Sequence, residues 1–319
     1  MSNAQVIMHI EHLSKSFGKK EVLKDISFDT YAGEVFGFLG PNGAGKTTLI
    51  KIAVGHLTLD EGEICICGHD LKKSYEDAMS KVGGIVENPE FYKYLSGYDN
   101  LMQFARLYPD VTDERIKKIV HMVGLDNRIN DKVKKYSLGM RQRLGVALAL
   151  LHSPKLLILD EPTNGLDPAG IKELRDVLVR IAHEEGASVL VSSHLMSEME
   201  MMCDRVGVIV NGTLVDVKPI EELVSAVTAD KIDVVISVSR ADEALSALDF
   251  IDENDKKAID DETIELVIDK KDSRELLYRV NRAIIGAGVD IATVSHRENK
   301  RLEDVFIELT GTEGGGQIE

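Results

Sequence analysis

The sequence predicts an α/β fold in two parts. Residues 1–220 read as a parallel sheet covered by helices, with a helical insertion at about 88–152, and residues 221–319 as a small α+β domain. Three observations predict this. Short, continuous apolar runs at Val35–Leu39, Leu156–Leu159 and Ala187–Ser192 alternate with helical patterns, as buried parallel strands do. The strand-helix pattern restarts after Pro219. The net charge of −16 is uneven, with −12 on residues 221–319 and −4 on residues 1–220, as in two units with different surfaces.

The elements follow in order. Residues 6–12 and 22–39 read as strands with turns, and a Gly-rich turn then leads into Thr47–Gly55 with helical spacing. Glu63–Gly68 is a strand with Ile64 and Ile66 on one face and Cys65 and Cys67 on the other. Residues 76–152 read as mostly helical, with Ile116, Ile119, Val120 and Val123 marking one apolar face. Ile171–Ala182 is a helix and Arg205–Val210 a further strand. Pro219 with Glu221 and Glu222 marks a linker.

Beyond it, Lys231–Val238, Thr263–Ile268 and Val289–Val294 read as strands. Ala241–Leu248, Arg274–Ile285 and Leu302–Leu309 read as helices. That order suggests a ferredoxin-like sandwich, and the Gly-rich tail Gly311–Glu319 reads as disordered.

Composition excludes several classes of function. No basic domain offers a face to nucleic acid. Three irregularly spaced cysteines do not make a disulfide framework and suit a reducing compartment. The N-terminus lacks the cationic-then-apolar pattern of a signal peptide. No apolar run approaches the ~18–20 residues that a spanning helix needs, so a transport role places the membrane part on another chain.

Gly40-Pro41-Asn42-Gly43-Ala44-Gly45-Lys46-Thr47 fits G-x-x-x-x-G-K-[ST] between a strand and a helix. The glycines let successive backbone N–H groups converge on phosphate oxygens, and the helix presents its positive end, beginning with Thr47 and Thr48, to the same anion. Lys46 can reach the β- and γ-phosphates of a nucleotide, and the Thr47 hydroxyl can bind Mg2+. The apolar strand at 155–160 ends in Asp160, 114 residues after Lys46, and Glu161 follows at once. Asp160 can hold Mg2+ through a water. Successive side chains on an extended segment point apart, which aims Glu161 at the water that attacks the γ-phosphate.

Lys-Tyr-Ser-Leu-Gly-Met-Arg-Gln-Arg-Leu at Lys135–Leu144 completes an ordered set with the phosphate loop, Leu-Asp-Glu-Pro-Thr, Asn-Gly-Leu-Asp and Ser-Ser-His. The set resembles the ATP-binding-cassette (ABC) ATPases over residues 6–216. Tyr-Ser-Leu-Gly-Met and Glu-Asn-Pro-Glu-Phe-Tyr at 87–92 are similar to the bacitracin-resistance and lantibiotic-immunity exporter subunits. The resemblance implies a P-loop NTPase core of ABC type and an ATPase that powers export through separate transmembrane permease subunits. It also implies a homodimer, or a dimer with a related subunit, sandwiching two MgATP, peripheral on the cytoplasmic face of the cell membrane.

By the same resemblance, Ser137 and Gly139 contact the γ-phosphate held by a second subunit, and Asp167 crosses the dimer interface. His194 contacts the γ-phosphate and holds Glu161, and Phe17 stacks on adenine. Leu138 and Met140 depart from the Gly and Gln usual in the signature, and Glu87 stands where a Gln is usual. Glu87 reads either as an Mg2+ ligand or as a loop carboxylate facing water. Six of sixteen aromatics (Phe91, Tyr92, Tyr94, Tyr98, Phe104 and Tyr108) crowd into residues 91–108. They read equally as internal packing and as the surface that receives a helix of the membrane subunit. An importer subunit and a non-transport ABC protein are the alternatives. The second wants two cassettes, a long coiled coil or a basic surface, and this chain has one phosphate loop and no long heptad run.

Overall fold

The computed structural model describes residues 5–87, 89–227, 231–252, 255–269 and 273–297. The chain divides into two compact units, residues 1–221 and 222–319.

The first unit carries two sheets. Strands β1 (Val6–Phe17) and β2 (Lys20–Tyr31) form an antiparallel hairpin, extended by β4 (Glu61–Ile66) and β5 (His69–Asp70) in the order β2-β1-β4-β5. β1 runs five residues beyond the sequence expectation. Its register slips between Ile10 and Leu13, where His12 adopts a positive φ of 50°. That bulge breaks the period-two alternation and hides the continuation of the strand. In β4, Ile64 and Ile66 are buried while Cys65 is half-buried, as the alternation requires.

The larger sheet has the order β10-β9-β3-β8-β7-β6. Its members are β3 (Val35–Leu39), β6 (Val82–Ile85), β7 (Leu156–Leu159), β8 (Ser188–Ser193), β9 (Arg205–Val210) and β10 (Thr213–Pro219). All its pairings are parallel except β10 on β9. β3, β7 and β8 are buried along their whole length, which is why they read as unbroken apolar runs.

The two sheets share a core around α1 (Lys46–Ala53). Phe28 of β2 stacks on Phe36 and Phe38 of β3 at 5.0 and 5.7 Å, and Leu49, Ile50, Ile52 and Ala53 are buried beside them. Burying side chains of this size stabilises by about 1.5–3 kcal/mol each relative to exposure.

Residues 76–152 are not continuous helix. After α2 (Tyr75–Met79), the edge strand β6 intervenes before α3 (Gly97–Ala105), α4 (Asp113–Met122) and α5 (Leu138–Ala149). Its sequence Val-Gly-Gly-Ile carries no strand signature, because the glycines serve packing. A Cβ on Gly83 would run into the Ala149 carbonyl at the end of α5.

Two further helices complete the unit: α6 (Pro168–His183) and α7 (Met196–Glu200). α7 comes close to β3, where a Cβ on Gly37 would lie 2.6 Å from Met199 Sδ and 2.8 Å from Cys203 Sγ.

Pro219 does not sit in a linker. It ends β10, paired with Arg205, and Ile220 opens α8 (Ile220–Val227), so the border between the units falls inside regular structure. The second unit runs β11 (Lys231–Val238), α9 (Ala241–Ser246), β12 (Lys256–Asp260), β13 (Thr263–Asp269), α10 (Ser273–Gly286) and β14 (Ile291–Arg297). The sheet is antiparallel throughout, in the order β12-β13-β11-β14, which is the ferredoxin-like arrangement. Strand β12, Lys-Lys-Ala-Ile-Asp, is an exposed edge and offers no apolar alternation to read. Val234, Ile236, Ile264, Leu266, Val280 and Ile284 form its core. The expected helix at 302–309 and the tail at 311–319 lie outside the described residues.

Candidate functional site

The phosphate loop joins the end of β3 to α1. Gly43 and Gly45 take φ values of 81° and 114°, which side chains rarely adopt. Gly40 and Gly45 also have no room for a Cβ, which would meet the Ile209 carbonyl at 2.5 Å and Leu23 Cδ2 at 2.7 Å. Asn42 and Gly43 are exposed at the tip, Ala44 is buried, and Thr47 and Thr48 lie in the first turn of α1, with Thr47 exposed. That turn carries no acidic residue, and Gly45 supplies no side-chain cap, so its N–H groups remain suited to an anion.

Lys46 is 5% exposed. Its Nζ donates to the Gly40 carbonyl at 2.6 Å and lies 3.4 Å from Glu161 Oε1. Burial pushes the ammonium below the ordinary lysine value, against the opposing pull of Glu161 and Asp160.

β7 delivers Asp160 and Glu161. Asp160 Oδ1 accepts the Ser192 hydroxyl at 2.6 Å, and the Glu161 N–H donates to Ser192 Oγ at 2.9 Å. Glu161 is not extended, as strand alternation predicts. Its φ is 45°, a left-handed turn that costs a non-glycine residue of order 1–3 kcal/mol and is characteristic of functional sites. The turn swings the carboxylate between two partners, Lys46 on one oxygen and His194 Nδ1 on the other at 2.8 Å. A carboxylate held between the phosphate-loop lysine and an imidazole can orient and deprotonate a water.

Ser137 caps α5: its Oγ accepts the Met140 N–H at 3.2 Å. The residue is exposed at this helix N-terminus. Gly139 passes close to α6, where a Cβ would lie 3.7 Å from Gly170 Cα. Leu138 packs toward Gly165 and, with Glu87, Gln142, Asp160, Glu161 and Asn164, lines a cavity of about 560 Å3. Asp167 caps α6 through its Oδ1, which accepts the Gly170 N–H at 3.0 Å. It therefore has a structural task within its own chain.

Phe17 ends β1 with 48% of its surface exposed, and Lys15 Nζ stands 5.6 Å from the ring centroid. The ring is available for stacking. Glu87 also takes a positive φ, of 69°, and its carboxylate pairs with Lys51 Nζ of α1 at 3.0 Å. Nothing local in the sequence points to that partner. Ser192, Thr163 and Glu198, to which the sequence assigns no role, hold the site from behind. The doubled serine before His194 and the threonine that closes Leu-Asp-Glu-Pro-Thr are the visible signals.

None of the six aromatics between Phe91 and Tyr108 is buried. Tyr92 and Tyr94 are exposed, and Tyr108 stacks on His152 at 4.9 Å. Phe104, Tyr108, His56, Leu148 and His152 border a cleft of about 490 Å3.

The family model described as "ABC transporter" matches residues 23–164. An uncharacterized ABC transporter ATP-binding protein of Bacillus subtilis, YdbJ, is 46% identical over 96% of this chain and 96% of its own. The bacitracin transport ATP-binding protein BcrA of Enterococcus faecalis is 36% identical over 98% of both chains. The lantibiotic transport ATP-binding protein SrtF of Streptococcus pyogenes is 42% identical over 66% of this chain and 89% of its own. Among solved structures, one described as the ATP binding subunit of an ABC transporter superposes with a TM-score of 0.60 at 28% identity, covering 68% of this chain and 91% of that one. Among the described residues no helix is long and apolar enough to cross a membrane. With a phosphate loop, a carboxylate pair and an ordered signature helix on a fold of this type, the chain belongs to the ABC transporter ATP-binding proteins, and is the ATPase subunit of such a transporter.

Proposed function

We propose that this ATPase powers export of a peptide antibiotic, lipid or drug through separate permease subunits, as a dimer on the cytoplasmic face of the cell membrane. The observation that carries the chemistry is the Glu161 carboxylate held between Lys46 at 3.4 Å and His194 at 2.8 Å. The names of the bacitracin and lantibiotic transport relatives support the class of cargo.

The phosphate loop binds the triphosphate through its backbone N–H groups and Lys46, which then exchanges Glu161 for phosphate oxygens. Phe17 stacks on the adenine. Thr47 and Asp160 would hold Mg2+. The donor set of a hydroxyl and a carboxylate oxygen suits that hard cation, and Asp160 commits only Oδ1 to Ser192. Mg2+ would neutralise charge on the β- and γ-phosphates. Glu161, once released by Lys46, takes the proton of the attacking water, and His194 keeps the carboxylate aimed through its Nδ1–H.

Ser137 and Gly139 at the N-terminus of α5 complete the site of the other subunit, with Asp167 beside the seam. ATP then acts by stabilising the closed dimer. The aromatic cleft around Phe104 and Tyr108 receives the membrane subunit, and Glu87 connects it to the nucleotide cavity.

The test is transport itself. Inside-out vesicles carrying the chain with its permease subunits should accumulate labelled bacitracin or a lantibiotic on adding ATP, and the Glu161→Gln chain should not. ATP-driven movement in the opposite direction, dependent on an external binding protein, would replace export with import.

A further inference from the structure

Glu198 lies on α7, outside every motif named above, and is 8% exposed. One of its oxygens, Oε2, accepts two hydroxyls. Thr163 Oγ1 donates at 2.6 Å and Ser193 Oγ at 3.0 Å. Both donors are buried as well, at 4% and 2% exposure. The Ser193 hydroxyl in turn accepts the Leu195 N–H at 3.0 Å, which fixes the direction of the chain of bonds from Leu195 through Ser193 to Glu198.

The positions of the two donors give this network its meaning. Thr163 stands two residues after Glu161, in the segment that leaves the strained turn. Ser193 immediately precedes His194. A single buried oxygen thus joins the two loops whose side chains must meet at 2.8 Å. Ser192 makes the neighbouring tie, through Asp160 Oδ1 and the Glu161 N–H. Ser192 fixes the start of the Glu161 turn, and Glu198 fixes its exit against the His194 loop. Thr163, Ser193, His194, Glu198 and Glu161 all border one cavity of about 150 Å3, so the clamp forms part of the wall behind the reacting groups.

We propose that Glu198 is a positioning residue for ATP hydrolysis. Its carboxylate sets the register between the Glu161 and His194 loops, and through them the aim of Glu161, without touching nucleotide. The proposal rests on Glu161 acting on the attacking water. Phosphate binding depends on Gly40–Thr47, a different segment, so loss of the clamp should separate turnover from affinity.

The experiment compares Glu198→Ala, Glu198→Gln and the Thr163→Val/Ser193→Ala pair in the full chain, with Glu161→Gln as a separate control. ATP dissociation constant, kcat and the fraction of nucleotide-binding protein are measured for each. Misplacement of reacting groups by about 1 Å costs up to ~100-fold in rate, so kcat of Glu198→Ala should fall about 10- to 100-fold. Its ATP dissociation constant should stay within about threefold, well short of a tenfold, 1.4 kcal/mol change. Glu198→Gln keeps an oxygen that accepts both hydroxyls and should recover most of the rate.

The hydroxyl pair variant should reproduce the Glu198→Ala loss, and adding it to Glu198→Ala should cost nothing further. If Glu198→Ala does not fold, the hydroxyl pair variant and Glu198→Gln decide alone. Unchanged kcat, a parallel loss of affinity, or a Gln variant as impaired as Ala would overturn the proposal. Near-normal turnover in the Glu161→Gln control would instead overturn the role of Glu161, so the two failures are distinguishable.

Discussion

Replacing Lys51 by Gln leaves the Glu87 carboxylate without its partner at 3.0 Å, at the edge of the cavity that also holds Asp160 and Glu161. In water two unit charges at that distance attract by about 1.4 kcal/mol. The Glu87 side chain is 72% exposed and Lys51 33%, so solvent and side-chain entropy reduce the pair to about 0.2–1 kcal/mol. Repulsion between the uncompensated, exposed carboxylate and the triphosphate falls on the same scale as other exposed charge pairs, about 0.2–1 kcal/mol, so ATP binding should weaken by about 1.4- to 5-fold.

Glu87→Gln alone removes the same negative charge and should leave basal ATP binding unchanged or slightly tighter. On the Lys51→Gln background it should restore affinity. Fluorescent-ATP titration of the four proteins at low and moderate salt measures the cycle, and the coupling should shrink as salt rises. ATPase activity with and without the permease subunits in lipid gives the second reading. Glu87→Gln should reduce partner-stimulated activity more than basal activity. Strictly additive effects of the two substitutions would refute the pairing argument, and equal loss with and without the partner would refute the coupling role.

Other outcomes follow from the same geometry. Burial holds the Lys46 pKa below the ordinary 10.5, so the folded chain binds fewer protons there than the unfolded chain. Stability should therefore rise with pH as the folded pKa is passed and level off near the unfolded value. Lys46→Met should keep or raise the melting temperature while abolishing ATP binding; calorimetry at pH 7 and 9.5 checks both. Phe17→Ala should weaken ATP by about 0.5–1.5 kcal/mol, the worth of an aromatic stack, with little change in melting temperature because the ring is half exposed. Equal affinity in a titration would remove Phe17 from the site. A chain ending at residue 220 should fold and bind ATP, because the core of the first unit closes without the second. A folded but non-binding truncation would show that the second unit completes the site.

How legible the molecule was depended on what each residue answers to. Buried parallel strands such as Leu156–Leu159 and the phosphate loop were plain, because burial on both faces and anion binding each demand a distinctive local pattern. Strand β6 was hidden because Gly83 answers to the close approach of α5 rather than to the strand. Strand β12 was hidden because an exposed edge needs no apolar face. At the site, Lys46, Asp160, Glu161 and His194 were legible from motif and order. Their supports were not. Lys51 is an ordinary lysine on a helix, and Glu198 is an ordinary glutamate until the fold brings Thr163 and Ser193 to the same oxygen. Glu161 departs from the extended path expected after β7. It diverges from Asp160 through a left-handed turn at φ 45°, not through strand alternation.

The most direct test of the central claim is the MgATP-dependent behaviour of Glu161→Gln. The amide cannot take a proton from water, but it leaves the phosphate loop intact and relieves Lys46 of its carboxylate at 3.4 Å. Turnover should fall by about 100- to 10,000-fold, the usual worth of a general base. ATP should still bind, and light scattering should show a stable dimer that forms on adding MgATP and dissociates when nucleotide is removed. Near-normal hydrolysis by Glu161→Gln, with the chain remaining monomeric in MgATP, would contradict the account.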